Sequence, residues 1–368
     1  MGAPYTGISL FSGGGTVEAA LRDAVEFVGA VEFAPDIADW YAKVHGDHVI
    51  VNDVAAVDYR PFAGVDYLHA SPSCKKASIA NSDRGETEQD MSAGAAVERC
   101  LREVHPRFFT LENVRGYMKF DAYKRIKATL TEIGYRWHEG VYNAADFAGC
   151  QTRIRLYLRA WRKDEPLPLL VPTGRDRVKL VKSAVIGGLF SAPLLPWRGW
   201  YEGVEDLLPT CPESKFADWQ KKRLMTVSAT TYKGMPRAYI VRDDNAGQEW
   251  GKQFRDDSEP VFTQSASSGG RAYLVSSTEM RDELRVRAAN EPAWAQTIGG
   301  GRNTRDRASL ENGRVVAMTT RCLARFQGLP DWYELPTKNS LASTIIGNGV
   351  EAHLQRAVTA SLLQGGTQ

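Results

Sequence analysis

A thiol, a carboxyl group and two guanidinium groups recur in this chain where strand-like runs begin or end. Cys74 closes Ser71-Pro72-Ser73-Cys74, just after an apolar run, with Lys75 and Lys76 beside it. An inert cysteine normally sits inside a periodic apolar stretch. A thiol in a polar loop flanked by cations has its thiolate favoured, which suits a nucleophile. Glu112-Asn113-Val114 closes another apolar run, and a carboxyl group near a thiol suits general acid work. Gln151, Arg153 and Arg155 alternate into a further run, which would put all three on one side. Two guanidinium groups on one face favour phosphates and carboxylates. The plainer readings are a buried cysteine acting as a small hydrophobe and a salt-bridged strand face.

A second set lies nearer the start. The turn Ser12-Gly13-Gly14-Gly15 follows the apolar run Gly7-Ile8-Ser9-Leu10-Phe11 and precedes a helical pattern. Glycines there let the backbone approach a cofactor, although a structural tight turn fits the same residues. Glu32 ends the next strand-like run, where a carboxylate can accept from ribose hydroxyls. Asp53 follows the third, where it could take an adenine amino group. Each acid alone reads as a solvated loop carboxylate; at successive strand ends they outline an adenosine-binding cleft.

The elements that must position these groups alternate. Strand-like runs at 28–33, 49–51, 65–70, 108–111, 136–144 and 154–160 are interleaved with helical patterns at 17–24, 37–44, 93–104 and 123–133. This predicts an α/β fold with a mostly parallel sheet, helices on both faces and a ligand site beyond the carboxyl ends of the strands. After Asp164-Glu165-Pro166 the composition turns irregular, with short strands such as Arg237–Val241 and Arg271–Val275, a weak Arg-Ala-Tyr echo of each other. A helical pattern returns over 342–363, after a Gly-Asn-Gly turn.

Composition narrows the class. The chain has 368 residues, 43% hydrophobic and 24% charged, enough for a sizeable core and about two domains. It shows no apolar run long enough for a membrane span and no signal peptide, so a cytoplasmic protein is expected. The five cysteines are an odd number without CxxC spacing, which argues against a disulfide framework or a zinc site; no metal is expected. A net charge of +2 neither marks nor excludes a nucleic-acid binder, because a basic cleft can hide in a balanced total.

Taken in order, Phe11-Ser12-Gly13-Gly14-Gly15, Ser71-Pro72-Ser73-Cys74, Glu112-Asn113-Val114 and Gln151-x-Arg153-x-Arg155 resemble the blocks of the DNA cytosine-5 methyltransferase family. Two late blocks agree. Arg321 to Asp331 resembles the family's arginine-rich segment with its Gln-Gly-Phe-Pro type turn, and Gly347-Asn348-Gly349-Val350 its final Gly-Asn-Ser/Ala-Val motif. Departures are Ser73 and Lys75 beside the cysteine, Cys150 for proline and Cys322 for glutamate, which suggest a diverged branch such as those of phages or mobile elements.

The resemblance implies a Rossmann-like S-adenosylmethionine-dependent domain over residues 1–165, a smaller irregular target-recognition domain over 166–290, and a return segment over 291–368. It implies Cys74 as nucleophile on a flipped-out cytosine, with Glu112, Arg153 and Arg155 completing the catalytic set. Phe11, Gly13, Gly15, Glu32, Asp53 and Asn348 would hold S-adenosylmethionine; Ser78, Asn113 and Gln151 would line the substrate. The expected partner is double-stranded DNA and the expected state a monomer. Basic residues of the middle span, including Lys221, Lys222, Arg223, Arg237, Arg242, Lys252, Arg255 and Arg271, would contact phosphates or guanine edges, or simply be solvated. An RNA cytosine-5 methyltransferase, a catalytically silent DNA-binding relative and an NAD-dependent Rossmann enzyme are the competing readings. The last explains the glycine turn and Glu32 but neither Cys74 nor the late blocks.

Overall fold

The computed structural model describes residues 4–72, 85–165, 170–175, 195–214, 238–242, 254–256, 259–262, 270–274 and 314–363. In chain order its first elements are β1 (Tyr5–Leu10), α1 (Thr16–Leu21), β2 (Val25–Glu32), α2 (Pro35–His45), β3 (Val49–Val51) and β4 (Tyr67–Ala70). Then come α3 (Glu88–Val104), β5 (Phe108–Asn113), α4 (Asp121–Glu132), β6 (Tyr135–Asn143), β7 (Gln151–Thr152) and β8 (Ile154–Arg162). Seven strands form one sheet in the order β3-β2-β1-β4-β5-β8-β6. Neighbours from β3 to β5 are parallel, and β8 alone runs antiparallel between β5 and β6. The strand order reverses between β1 and β4, and a sheet of this kind opens its ligand crevice at that switch.

The sequence explains why the sheet forms. All six residues of β5, Phe-Phe-Thr-Leu-Glu-Asn, are buried, the continuous run expected of a strand covered on both faces. One face packs Ile8, Leu10, Leu68, Phe109 and Leu111 against Val97, Leu101 and Val104 of α3 and Tyr123, Ile126 and Leu130 of α4. The other packs Tyr67, Phe108 and Tyr157 against α1 and the C-terminal helix Ala352–Leu363. Helix α3 starts at a capping box in which Thr87 and Asp90 satisfy each other's backbone N–H groups. Its Gly94 lets α4 approach: a Cβ there would lie 2.6 Å from that of Ala122. Truncating Phe109 to alanine in this setting should cost about 3–5 kcal/mol.

A second, four-stranded sheet is antiparallel throughout: β9 (Ala238–Arg242), β10 (Phe254–Asp256), β11 (Gly270–Leu274) and β12 (Arg314–Ala317), in the order β10-β9-β11-β12. The described parts of the two Arg-Ala-Tyr runs are neighbours in it, with Tyr239 opposite Tyr273. Two details differ from the sequence reading. Strand β1 stops at Leu10 because Phe11 turns left-handed, with φ 59°. The late helical run is two helices, Asn339–Asn348 and Ala352–Leu363, so Gly347 and Asn348 end the first of them and stand before the second. The break comes at Gly349, where the backbone meets Thr16 so closely that a Cβ would fall 2.6 Å from its Cγ2.

Candidate functional site

The carboxyl ends of β1, β2 and β3 carry the glycine turn and both acids. Phe11, Gly13 and Gly15 all have positive φ, of 59°, 56° and 79°. Glycine takes these angles freely and phenylalanine does not. The half-buried Glu32 carboxylate accepts from the backbone N–H of Gly13 at 2.9 Å and of Ala34 at 2.8 Å, tying β2 to the turn. Among the described residues, no atom beyond Gly13 and its two chain neighbours lies within 4 Å of where a Gly13 Cβ would stand, which leaves the turn an open side there. Phe33, next to Glu32, is 71% exposed, an aromatic face at the crevice. Asp53 is exposed and caps the short 3-10 turn Val54–Ala56 through Ala55 N–H at 2.8 Å. Asn348 is exposed at the end of its helix, and two residues on Val350 N–H donates to Thr16 Oγ1 at the start of α1.

The other end of the edge is built from buried charge. Glu112 closes β5, and its Oε1 lies 2.9 Å from Nε of Arg155 on the neighbouring β8. Burial raises the Glu112 pKa above the ordinary carboxylate range, and the guanidinium groups of Arg155 and Arg153 offset only part of that rise. A carboxyl group in this position keeps its proton more readily than a solvated one. Asn113 is buried and donates through Nδ2 to the carbonyl of Pro72 at 3.0 Å, fixing the chain where it leaves β4. Ser71 adds a bond from Oγ to the Phe11 carbonyl at 3.3 Å, which links that segment to the glycine turn.

Gln151, Arg153 and Arg155 do not lie along one unbroken strand. The strand is interrupted at Arg153, whose N–H donates to the Gln151 carbonyl at 3.1 Å in a tight turn, so the alternation fails there. Gln151 is fully buried and donates to the Phe326 carbonyl and to Gln327 Oε1, both at 2.9 Å. Arg153, also buried, donates to the Gly349 carbonyl at 2.8 Å. Both side chains tie this region to the return segment, and Arg155 pairs with Glu112. The structure therefore brings Glu112, Asn113 and Arg155, with the Arg153 guanidinium near enough to act on Glu112, to one end of the edge, and the glycine turn, Glu32 and Asp53 along the other.

Cys74 and Ser78 lie outside the described residues, as do Lys221, Lys222, Arg223, Arg237 and Lys252. The four described cysteines, Cys100, Cys150, Cys211 and Cys322, are all buried, as the plain reading of each expected. Burial pushes the thiols of Cys150 and Cys322 up to about 12, far from any nucleophile. Sequence reasoning missed Phe33, although an aromatic placed directly after a strand-end acid was a usable signal. It also missed the buried Glu18, held by Ser9, and Tyr333, whose hydroxyl reaches the Gly14 carbonyl from a distant part of the chain. Among the described residues no group of three or more His, Cys, Asp or Glu side chains could hold a metal. No helix there is long and apolar enough to cross a membrane.

A profile of C-5 cytosine-specific DNA methylases matches residues 5–364. The chain belongs to this family. Its curated relatives include the type II methyltransferase M.FnuDI of Fusobacterium nucleatum, 30% identical over 161 residues, which are 43% of this chain and 47% of that protein. The chain thus spans about half the length of that relative. It matches the type II methyltransferase M.NlaX of Neisseria lactamica almost end to end, at 24% identity over 95% of this chain and 94% of that one. Among solved structures, the Schizosaccharomyces pombe Dnmt2 methyltransferase superposes with a TM-score of 0.58 at 17% identity, covering 98% of both chains, a likeness of fold. S-adenosylmethionine is the methyl donor of this family. The open glycine turn, the Glu32 carboxylate and the exposed Phe33 ring suit its methionine, ribose and adenine parts respectively.

Proposed function

We propose that this chain is a DNA cytosine-5 methyltransferase that acts through a covalent bond from Cys74 to carbon 6 of a flipped-out cytosine. The observation that carries the reading is the pair of buried Glu112 and half-buried Arg155, 2.9 Å apart, at the strand edge from which the Cys74 segment departs. Carbon 5 of cytosine is too poor a nucleophile to be methylated directly. Addition of the Cys74 thiolate to carbon 6 forms a C–S bond and moves the ring electrons to make carbon 5 part of an enamine. The proton that balances this addition goes to ring nitrogen 3 from Glu112, whose burial favours the protonated form. Arg155 orients that carboxyl group. S-adenosylmethionine, when bound, supplies the electrophilic methyl group for carbon 5. A base then removes the proton on carbon 5, the C–S bond breaks, the thiolate leaves and nitrogen 3 returns its proton to Glu112.

Phe11, Gly13, Gly15, Glu32, Phe33, Asp53 and Asn348 would hold the donor. Asn113 and Arg153 serve by fixing the Pro72 carbonyl and the Gly349 carbonyl rather than by touching the base. Residues 1–165 and 291–368 would carry the chemistry, and 166–290 would choose the DNA sequence; the monomer is the working form in this reading. Expression with a plasmid in a methylation-free host, followed by bisulfite sequencing of plasmid and host RNA, tests it. Methylated cytosines in one short DNA sequence context are expected. Methylation confined to RNA would replace the substrate, and none in either would refute the activity.

A further inference from the structure

Three consecutive glycines give the turn at 13–15 no conformational preference of its own, because glycine populates both halves of the φ map. Its peptide planes must be fixed from outside. The Gly13 N–H is held by Glu32 at 2.9 Å, the Gly15 N–H by the Ser12 carbonyl at 3.0 Å, and the Gly15 carbonyl by Ala19 N–H at 2.9 Å. The Gly14 carbonyl accepts from the hydroxyl of Tyr333, 319 residues away in sequence.

Tyr333 is fully buried, and its segment is strapped across α1 and α2. Trp40 Nε1 donates to the Glu334 carbonyl at 3.2 Å, and Lys43 Nζ lies 3.1 Å from the Glu334 carboxylate. Arg22 covers Trp332 with its guanidinium carbon 4.6 Å from the ring centroid. Behind the strap, Arg321 Nη2 donates to the Tyr333 carbonyl at 2.8 Å. The fit against the turn is close: a Cβ on Gly14 would lie 2.8 Å from Tyr333 Oη, and one on Gly15 would lie 2.4 Å from His45 Nε2.

We propose that Tyr333 is a positioning residue for the methyl donor, its hydroxyl locking the Gly14–Gly15 peptide so that the open side of the turn keeps the shape the donor needs. This rests on the reading that the donor lies against residues 13–15. Without the hydroxyl the buried Gly14 would lose the side-chain donor that holds its carbonyl, and a peptide between two glycines can flip at little steric cost. The strap belongs to the return segment that also anchors Gln151 and Arg153. Seating of that segment and affinity for the donor are therefore coupled through one hydroxyl group.

The test is calorimetric titration of the full chain with S-adenosylmethionine and S-adenosylhomocysteine, alongside steady-state kinetics. Tyr333→Phe should bind both roughly three- to tenfold more weakly, the range of one hydrogen bond. KM for the donor should rise by a similar factor, with kcat and affinity for DNA within about twofold of wild type by the same reasoning. Unchanged donor affinity overturns the proposal, as does a fall in melting temperature with affinity intact, which would mark a purely structural role. If Tyr333→Phe fails to fold, Trp40→Phe removes the indole bond that steadies the strap and should weaken donor binding roughly twofold; unchanged affinity there overturns it equally. Glu32→Ala runs in parallel. If it binds the donor as wild type does, the pocket reading falls; if it weakens binding while Tyr333→Phe does not, only the role of Tyr333 falls.

Discussion

The two ends of the strand edge are built on different physical terms. At the β1–β3 end the backbone does the work: three positive φ angles, a carboxylate bonded to a glycine N–H, and an aromatic ring left exposed. At the β5–β8 end the side chains do it, with a buried carboxyl group set against a half-buried guanidinium group. The first arrangement shapes a surface and changes affinity when disturbed. The second stores an electrostatic bias in a low-dielectric setting and changes chemistry when disturbed.

Glu112→Gln should give the largest effect. It keeps the shape but removes the transferable proton, so turnover should fall about 10²–10⁴-fold, the usual weight of a general acid. Donor affinity should stay at the wild-type value. If calorimetry showed donor binding falling in step with turnover, the division between the two ends would be lost.

Glu18 sharpens the comparison, since it is a buried acid at the backbone-built end. Its carboxyl accepts from Ser9 Oγ and burial pushes its pKa up to about 7. The folded state thus holds a proton that the unfolded chain releases near 4.5. The contribution is fully present below that value and is lost as pH rises through about 7. Glu18→Gln should remove this dependence. Relative to wild type it should gain up to about 3 kcal/mol between pH 4.5 and pH 8, at about 1.4 kcal/mol for each pH unit that separates the folded and unfolded values. Urea unfolding at the two pH values measures it, and parallel profiles for the two proteins would contradict it.

Glu32→Ala should give the smallest of these three changes. Loss of its contacts to the turn and to ribose should weaken donor binding by about 1–3 kcal/mol. Single-turnover rates at saturating donor should stay close to wild type. A large loss of rate at saturation would show that the backbone-built end also takes part in chemistry.

Much of this was legible in the sequence, because parallel strands covered on both faces read as short unbroken apolar runs. The acids at 32, 53 and 112 sit at strand ends as expected. What failed, failed for identifiable reasons. Alternation from Gln151 to Arg155 assumed an unbroken strand, and a single turn at Arg153 sent Gln151 and Arg153 into the return segment. The bond from Tyr333 to Gly14 joins residues 319 apart, and no local pattern encodes a contact at that separation. The echo between the two Arg-Ala-Tyr runs was visible, but their pairing as adjacent antiparallel strands depends on register and not on composition.

The central claim is that Cys74 bonds covalently to cytosine, and trapping that bond tests it most directly. A duplex carrying 5-fluorocytosine in the methylated sequence blocks release, because fluorine replaces the proton that a base must remove from carbon 5. With S-adenosylmethionine present, the wild-type chain should form an adduct that survives denaturing electrophoresis, and peptide mapping should place the DNA on Cys74. Cys74→Ala should form none while still binding donor and DNA. An adduct formed by Cys74→Ala, or DNA mapped to any other residue, would contradict the account.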